Sequence, residues 1–204
     1  MWVRVPLPAP RMVYDMPIWT VILIGYLLGS IPTAYIAGRF LKGRDIRHMG
    51  DENAGAANAY RELGPKVGVA VFFTDAAKGA LVILIAQASN MSQVVVMCAG
   101  AAAVIGHNWP VFIGFRGGRG ESTTIGVLAT LVTQPMLMLA VPTILTLLIK
   151  KNVMLASAVL FVPLSLVGWL VGVPVPLLIY SVALPCLVGV THYFRTRPRE
   201  ARQT

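Results

Sequence analysis

Between two strongly apolar stretches the chain places GFRGGRGEST, residues 114–123, with four glycines and two arginines in ten positions. Glycine reaches backbone conformations closed to other residues and lets the main chain approach a ligand. Successive amides in such a turn form a concave anion site. Arg116 and Arg119 add forked donors that match phosphate oxygens. Ser122 and Thr123 then open a helix, whose free amides also favour an anion. Together with Gly117, Gly118 and Gly120 these residues read as a phosphate cradle. The spacing G-x-x-x-x-G-K-[ST] is absent, so a nucleotide is not implied. The plain alternative is a flexible turn whose arginines serve topology alone.

A second polar stretch, GRDIRHMGDENAGAANAYRELG at residues 43–64, offers Asn53 and Asn58 as neutral donors and acceptors and Arg47 and Arg61 as fixed charges. It is too polar to enter lipid and too rich in small residues to build a core of its own. Ser30, in GSIPT, sits inside an apolar run where Pro32 frees a backbone carbonyl, which makes a polar lining plausible. A lone serine there more often bonds to its own helix. Asp75 and Lys78 lie three apart and share a helix face. Charges inside a membrane either pair or touch substrate, and both roles stay open for this pair.

The elements that must position these groups follow from composition. The chain is 56% hydrophobic and 12% charged, with mean hydropathy +0.73, about half the charge share of a soluble domain. Apolar runs over residues 16–40, 67–88, 92–113, 152–172 and 174–194 approach the ~20 residues of a bilayer-spanning helix. The stretch 121–149 as one helix would be about 43 Å long, too long for one crossing. Gln134-Pro135 divides it into two short crossings, about 121–133 and 135–150. Seven spans put fourteen of the 17 basic residues on one face and leave Arg4, Arg11 and Lys78 elsewhere. The positive-inside rule then sets the N-terminus outside and the C-terminus in the cytoplasm. The expected fold is an all-α integral membrane bundle of about seven helices. It forms one domain over 1–204, with an irregular leader at 1–15 and a basic cytoplasmic tail at 195–204. Gly25, Gly29, Ala99 and Ala103 suit close helix packing. Cys98 and Cys186 fall inside apolar runs, which offers no disulfide framework or zinc spacing. The net charge of +9 lies on the basic membrane face and does not call for nucleic acid.

In order and spacing, GSIPTAYIAGRF, DIRHMGDENAGAANAYRELGPKVG, TDAAKG and GHNWPVFIGFRGGRGEST resemble the successive motifs of the PlsY family of bacterial membrane acyl-phosphate:glycerol-3-phosphate acyltransferases. The resemblance covers about residues 20–130. It implies seven spans in the inner membrane with the motif loops on the cytoplasmic side. It also implies transfer of a fatty acyl group from acyl phosphate to the 1-hydroxyl of glycerol 3-phosphate. That reaction gives lysophosphatidic acid and phosphate, the first acylation of bacterial phospholipid synthesis. It implies no cofactor, metal or acyl-CoA. As partners it implies the two substrates and membrane lipid, and it allows an enzyme that produces acyl phosphate.

By position, the resemblance gives catalytic roles to Ser30, Arg47, Lys78 and His107. It places Asn53, Asn58, Gly117, Gly118, Gly120 and His192 at the substrates, and the chemistry of the two loops adds Arg61, Arg116, Arg119, Ser122 and Thr123 as phosphate-binding candidates. The sequence departs from the family at several points. Asp51-Glu52-Asn53 stands for Ser-Gly-Asn, Ala57 for a threonine, and Arg116 and Arg119 for lysines. Glu121 replaces a small apolar residue, Arg195 stands at an asparagine position and Pro198 at an arginine. An acyl phosphate is already activated, and the chain lacks the G-x-S-x-G elbow of a covalent serine mechanism. The rival readings are a diverged or inactive member, or a small anion-recognising transporter or assembly subunit. A transporter needs polar groups at both faces, and the outer loops here are almost chargeless.

Overall fold

The computed structural model describes residues 16–196, and among these every regular element is helical. The first apolar run is not one helix but two, α1 (Ile18–Gly29) and α2 (Thr33–Lys42), broken at Ser30-Ile31-Pro32. Pro32 has no N–H to continue the ladder, so carbonyls at the break lose their helical donors. The chain then turns through Ile46–His48 into a short helix, α3 (Ala56–Leu63), before α4 (Pro65–Ala88) and α5 (Gln93–Asn108). Pro65 stands at the first position of α4, where its missing N–H costs nothing.

After a tight turn at Val111–Ile113 come α6 (Glu121–Leu131) and α7 (Thr133–Lys150). The break expected at Gln134-Pro135 falls instead at Val132, whose φ of −129° and ψ of 56° leave the helical region. Pro135 sits inside the first turn of α7, where helix amides have no intrahelical partner in any case. Pro163 likewise divides the next run into α8 (Val153–Phe161) and α9 (Leu164–Leu170), and α10 (Val175–Thr196) closes the bundle. The last helix therefore includes Arg195, which on sequence grounds belongs to the tail. The leader at 1–15 and the rest of the tail lie outside the described residues.

Among the described residues, six helical stretches are long and apolar enough to cross a bilayer: 18–42, 65–88, 93–113, 133–150, 153–170 and 175–196. The seventh expected crossing, α6, has 11 residues, about 16 Å at 1.5 Å per residue. Helix α5 is central, with 61% of its apolar window buried, against 17% for α7 at the periphery. The central helices approach closely because small residues line their seams. A Cβ on Gly25 would stand 2.6 Å from the Ala99 carbonyl oxygen, and one on Gly29 would overlap the Ala103 carbonyl. Gly79 on α4 and Gly126 on α6 meet backbone carbonyls in the same way. Without a hydrophobic drive between helices in lipid, such contact is what remains to hold them.

The 43–64 loop departs from expectation. Ile46, Ala54 and Ala59 bury with Ala34 of α2 and Val71 of α4 in a small separate core. Small side chains do not prevent a core here, because α2 and α4 supply two of its walls.

Candidate active site

Asn58 is fully buried and holds the first loop together. Its Nδ2 donates to the carbonyls of Ile46 (3.2 Å), Met49 (2.9 Å) and Asn53 (3.0 Å), and its Oδ1 accepts from the Asp51 amide (3.3 Å). With donors and acceptor both committed to the backbone, Asn58 shapes the loop. Asn53, by contrast, lines a cavity and carries an Oδ1 without a partner. Arg47 forks onto Asp45 (2.7 Å at the closest) and donates from Nη1 to the Ile113 carbonyl (2.6 Å), joining the first loop to the second. That fork also holds the Asp45 carboxyl below its usual range and raises Arg47 above its own, against the opposing effect of burial.

The glycine loop is built differently from the cradle expected of it. The amides of Gly117 and Gly118 donate inward, to the carbonyls of Asn108 (3.2 Å) and His107 (3.1 Å). Of the three glycines only Gly120, at φ +86°, has a left-handed backbone. Gly117 and Gly118 are required for space: a Cβ on Gly117 would strike the His107 carbonyl, and one on Gly118 would strike His107 Nε2. The amides left for an anion belong to the start of α6. Ser122 and Thr123 sit there with both side chains buried in the bundle, and Thr123 Oγ1 has no partner.

A cavity of about 220 Å³ opens between the two loops. Arg47, Arg116, Arg119 and Arg195 line it with Asp51, Glu52, Asn53 and Gly117. Asp51 pairs with Arg61 (2.9 Å) and Arg119 (3.4 Å), so Arg61 acts on the cavity from behind Asp51. His192 of α10 lies within electrostatic reach of Asp51 and Arg119 without forming part of the wall.

Beneath this cavity runs a buried polar chain. Lys78 Nζ lies 2.6 Å from Asp75 Oδ1 and donates to the carbonyls of Ile31 (2.7 Å) and Gly29 (3.4 Å) at the Pro32 break, where the Ile31 carbonyl also accepts from the Thr33 amide (3.1 Å). Thr33 Oγ1 also donates to Asp75 (2.8 Å), and His107 Nδ1 stands 3.8 Å away from it. The other side of the His107 ring lies beneath Gly118. Ser30 is fully buried with its hydroxyl unpartnered, and a Cβ on Gly106 would come within 3.0 Å of that hydroxyl. Lys78 also lines an apolar groove of about 490 Å³ with Leu28, Ile31, Ala77, Leu81 and Leu84. A chain of side-chain contacts thus links the glycine loop, through His107 and Asp75, to Lys78 at the wall of an apolar groove. Sequence reasoning left Asp75 between pairing and substrate contact, and read Arg195 only as part of the basic tail. The TDAAKG spacing was the available signal for Asp75. Arg195, at the end of an apolar run, carried only the signal of a topogenic charge.

A polytopic helical membrane protein with an arginine-lined cavity and a buried ion pair belongs to a class of membrane proteins whose site suits an anionic ligand. Similarity to known proteins gives the family. The glycerol-3-phosphate acyltransferase family model matches residues 19–198. A curated relative, glycerol-3-phosphate acyltransferase 4 of Dehalococcoides mccartyi, is 52% identical over 176 residues, covering 86% of this chain and 95% of the relative. The glycerol-3-phosphate acyltransferase of Shouchella clausii is 43% identical over 155 residues, 75% of each chain. Crystal structures of PlsY, an integral membrane glycerol 3-phosphate acyltransferase, align as well. The glycerol 3-phosphate form has a TM-score of 0.79 at 35% identity, covering 86% of this chain and 88% of that one. The lysophosphatidic acid form has a TM-score of 0.74 at 33% identity, covering 91% and 90%. The chain belongs to the glycerol-3-phosphate acyltransferase family and is a multi-pass membrane acyltransferase of the PlsY type.

Proposed function

We propose that the protein transfers a fatty acyl group from acyl phosphate to the 1-hydroxyl of glycerol 3-phosphate, giving lysophosphatidic acid and inorganic phosphate. The observation that carries this reading is the arginine-lined cavity beside the glycine loop. The donor has an apolar tail and a phosphate, and Lys78, linked through Asp75 and His107 to that loop, lines an apolar groove. Both substrates bring phosphates, and holding two together requires several cations. Four arginines provide them.

The acceptor hydroxyl oxygen attacks the acyl carbon, the bond from that carbon to the phosphate oxygen breaks, and phosphate leaves with the electron pair. The hydroxyl proton passes to a phosphate oxygen of the acceptor, so the chemistry rests on positioning and charge stabilisation. In this reading Arg47, Arg116 and Arg119, with the first amides of α6, neutralise phosphate. Asn53 offers its free amide oxygen to the acceptor. Ser30 and Lys78 stand nearest the acyl carbonyl, and His107 supports the glycine loop. Incubating purified protein with palmitoyl phosphate and glycerol 3-phosphate tests this: equal amounts of lysophosphatidic acid and phosphate are expected. Phosphate release without the lipid product overturns it.

The same reading puts the protein in the bacterial inner membrane, as one domain with this cavity on the cytoplasmic side and the N-terminus outside. With Cys98 and Cys186 replaced, Gln134→Cys is expected to react with an impermeant maleimide added outside intact cells. Lys150→Cys should react only after permeabilisation. External labelling of Lys150→Cys overturns the seven-span arrangement.

A further inference from the structure

Arg195 stands in the last turn of α10, and the structure gives it a task that a shorter side chain could not perform. Tyr180 donates to the Met97 carbonyl (2.8 Å) and Asn108 Nδ2 to Thr191 Oγ1 (3.2 Å), which lays α10 along α5. Arg195 then reaches into the turn between α5 and α6. Its Nη1 donates to the carbonyls of Gly117 (2.5 Å) and Gly118 (2.8 Å), and its Nη2 to the carbonyl of Asn108 (2.5 Å). The guanidinium also stands 5.9 Å from the Trp109 ring and lines the arginine cavity.

Two physical consequences follow. Carbonyl oxygens carry partial negative charge, and three of them beside an anion site would repel phosphate. A guanidinium bonded to all three presents positive charge in their place, through the planar fork that arginine has and lysine lacks. The peptide unit is also planar and trans, so its C=O and N–H point in opposite directions. Holding the Gly118 carbonyl toward Arg195 therefore turns the Arg119 amide away from it, at the entry to α6. The Gly117 carbonyl is held in the same way, with the Gly118 amide directed at His107.

We infer that Arg195 is a positioning residue for phosphate recognition: it covers three carbonyl oxygens beside the cavity and fixes the backbone through which α6 begins. The inference rests on the reading that this cavity holds a substrate phosphate. It concerns binding more than chemistry, because the guanidinium is already committed to backbone acceptors.

The test compares Arg195→Ala, Arg195→Lys and Arg195→Asn in the full chain, with palmitoyl phosphate as donor and glycerol 3-phosphate varied. Charge-assisted hydrogen bonds of this kind are worth enough that Arg195→Ala is expected to raise the KM for glycerol 3-phosphate about ten- to 100-fold. That corresponds to about 1.4–2.7 kcal/mol at 1.36 kcal/mol per decade. The fall in kcat should be much smaller. Arg195→Lys should recover part of the loss, and Arg195→Asn less. Amide hydrogen exchange gives a readout independent of turnover. A peptide spanning residues 114–124 should exchange faster in Arg195→Ala, while one from the middle of α4 stays at the wild-type rate. An unchanged KM, or a collapse of kcat at constant KM, overturns the inference. So does unchanged exchange in the loop, or faster exchange throughout the chain. Wild-type protein that makes no lysophosphatidic acid defeats the functional reading instead. Loop exchange and stabilisation of the wild type over Arg195→Ala by inorganic phosphate then decide the inference alone.

Discussion

Lys78→Met is expected to destabilise the protein by about 3–5 kcal/mol, because it leaves the Asp75 carboxylate buried without its cation. Asp75 is 1% exposed and Lys78 is 6% exposed, so water cannot take the place of the lost partner. At roughly 2–4 °C per kcal/mol for a chain of this size, thermal melting in detergent should show a large drop. The ammonium also serves the Gly29 and Ile31 carbonyls, so the α1–α2 break loosens with it. Adding Asp75→Asn removes the stranded charge and keeps an acceptor for Thr33. The double variant should therefore regain most of the lost stability. It should be inactive, because the proposed reaction places Lys78 nearest the acyl carbonyl. A double variant that recovers both melting temperature and turnover would show that the pair serves folding alone.

Gly118→Ala is expected to lower kcat/KM about five- to 150-fold. The cause is space: the added methyl runs into His107 Nε2, and overfilling a packed site costs typically 1–3 kcal/mol, with each 1.36 kcal/mol a decade in rate. His107 cannot swing away freely, since its other nitrogen faces Asp75. Gly43→Ala is the matched control. Gly43 has φ +63° with no atom near a Cβ, so alanine there strains the backbone by about 1–3 kcal/mol at a position outside the cavity lining. It should leave kinetic constants unchanged. Equal kinetics for Gly118→Ala and wild type, measured on folded protein, would remove the loop from the site.

These two positions show what the sequence could reveal. Hydropathy and charge located every apolar run, and the Asp75–Lys78 spacing announced an ion pair. What the pair bonds to was hidden, because Gly29 and Ile31 offer carbonyls only once Pro32 has broken the helix. Gly117 and Gly118 were legible as necessary but not for the right reason. In one dimension, a glycine demanded by a neighbour's side chain is indistinguishable from one demanded by its own φ. Asn58 and Arg195 failed in opposite directions. An asparagine in a polar loop suggests a ligand contact, yet this one spends its whole amide on its own turn. An arginine at the end of an apolar run suggests topology, yet this one crosses to a loop 77 residues away in sequence. The Val132 break was displaced from the proline because a proline in a helix's first turn disturbs nothing.

The central claim is that acyl phosphate is the donor, and the most direct measurement offers purified protein two donors in the presence of EDTA. With glycerol 3-phosphate as acceptor, palmitoyl phosphate should give lysophosphatidic acid at an undiminished rate, and palmitoyl-CoA should give none. Product from palmitoyl-CoA alone, or loss of the palmitoyl phosphate reaction on chelation, would contradict the account.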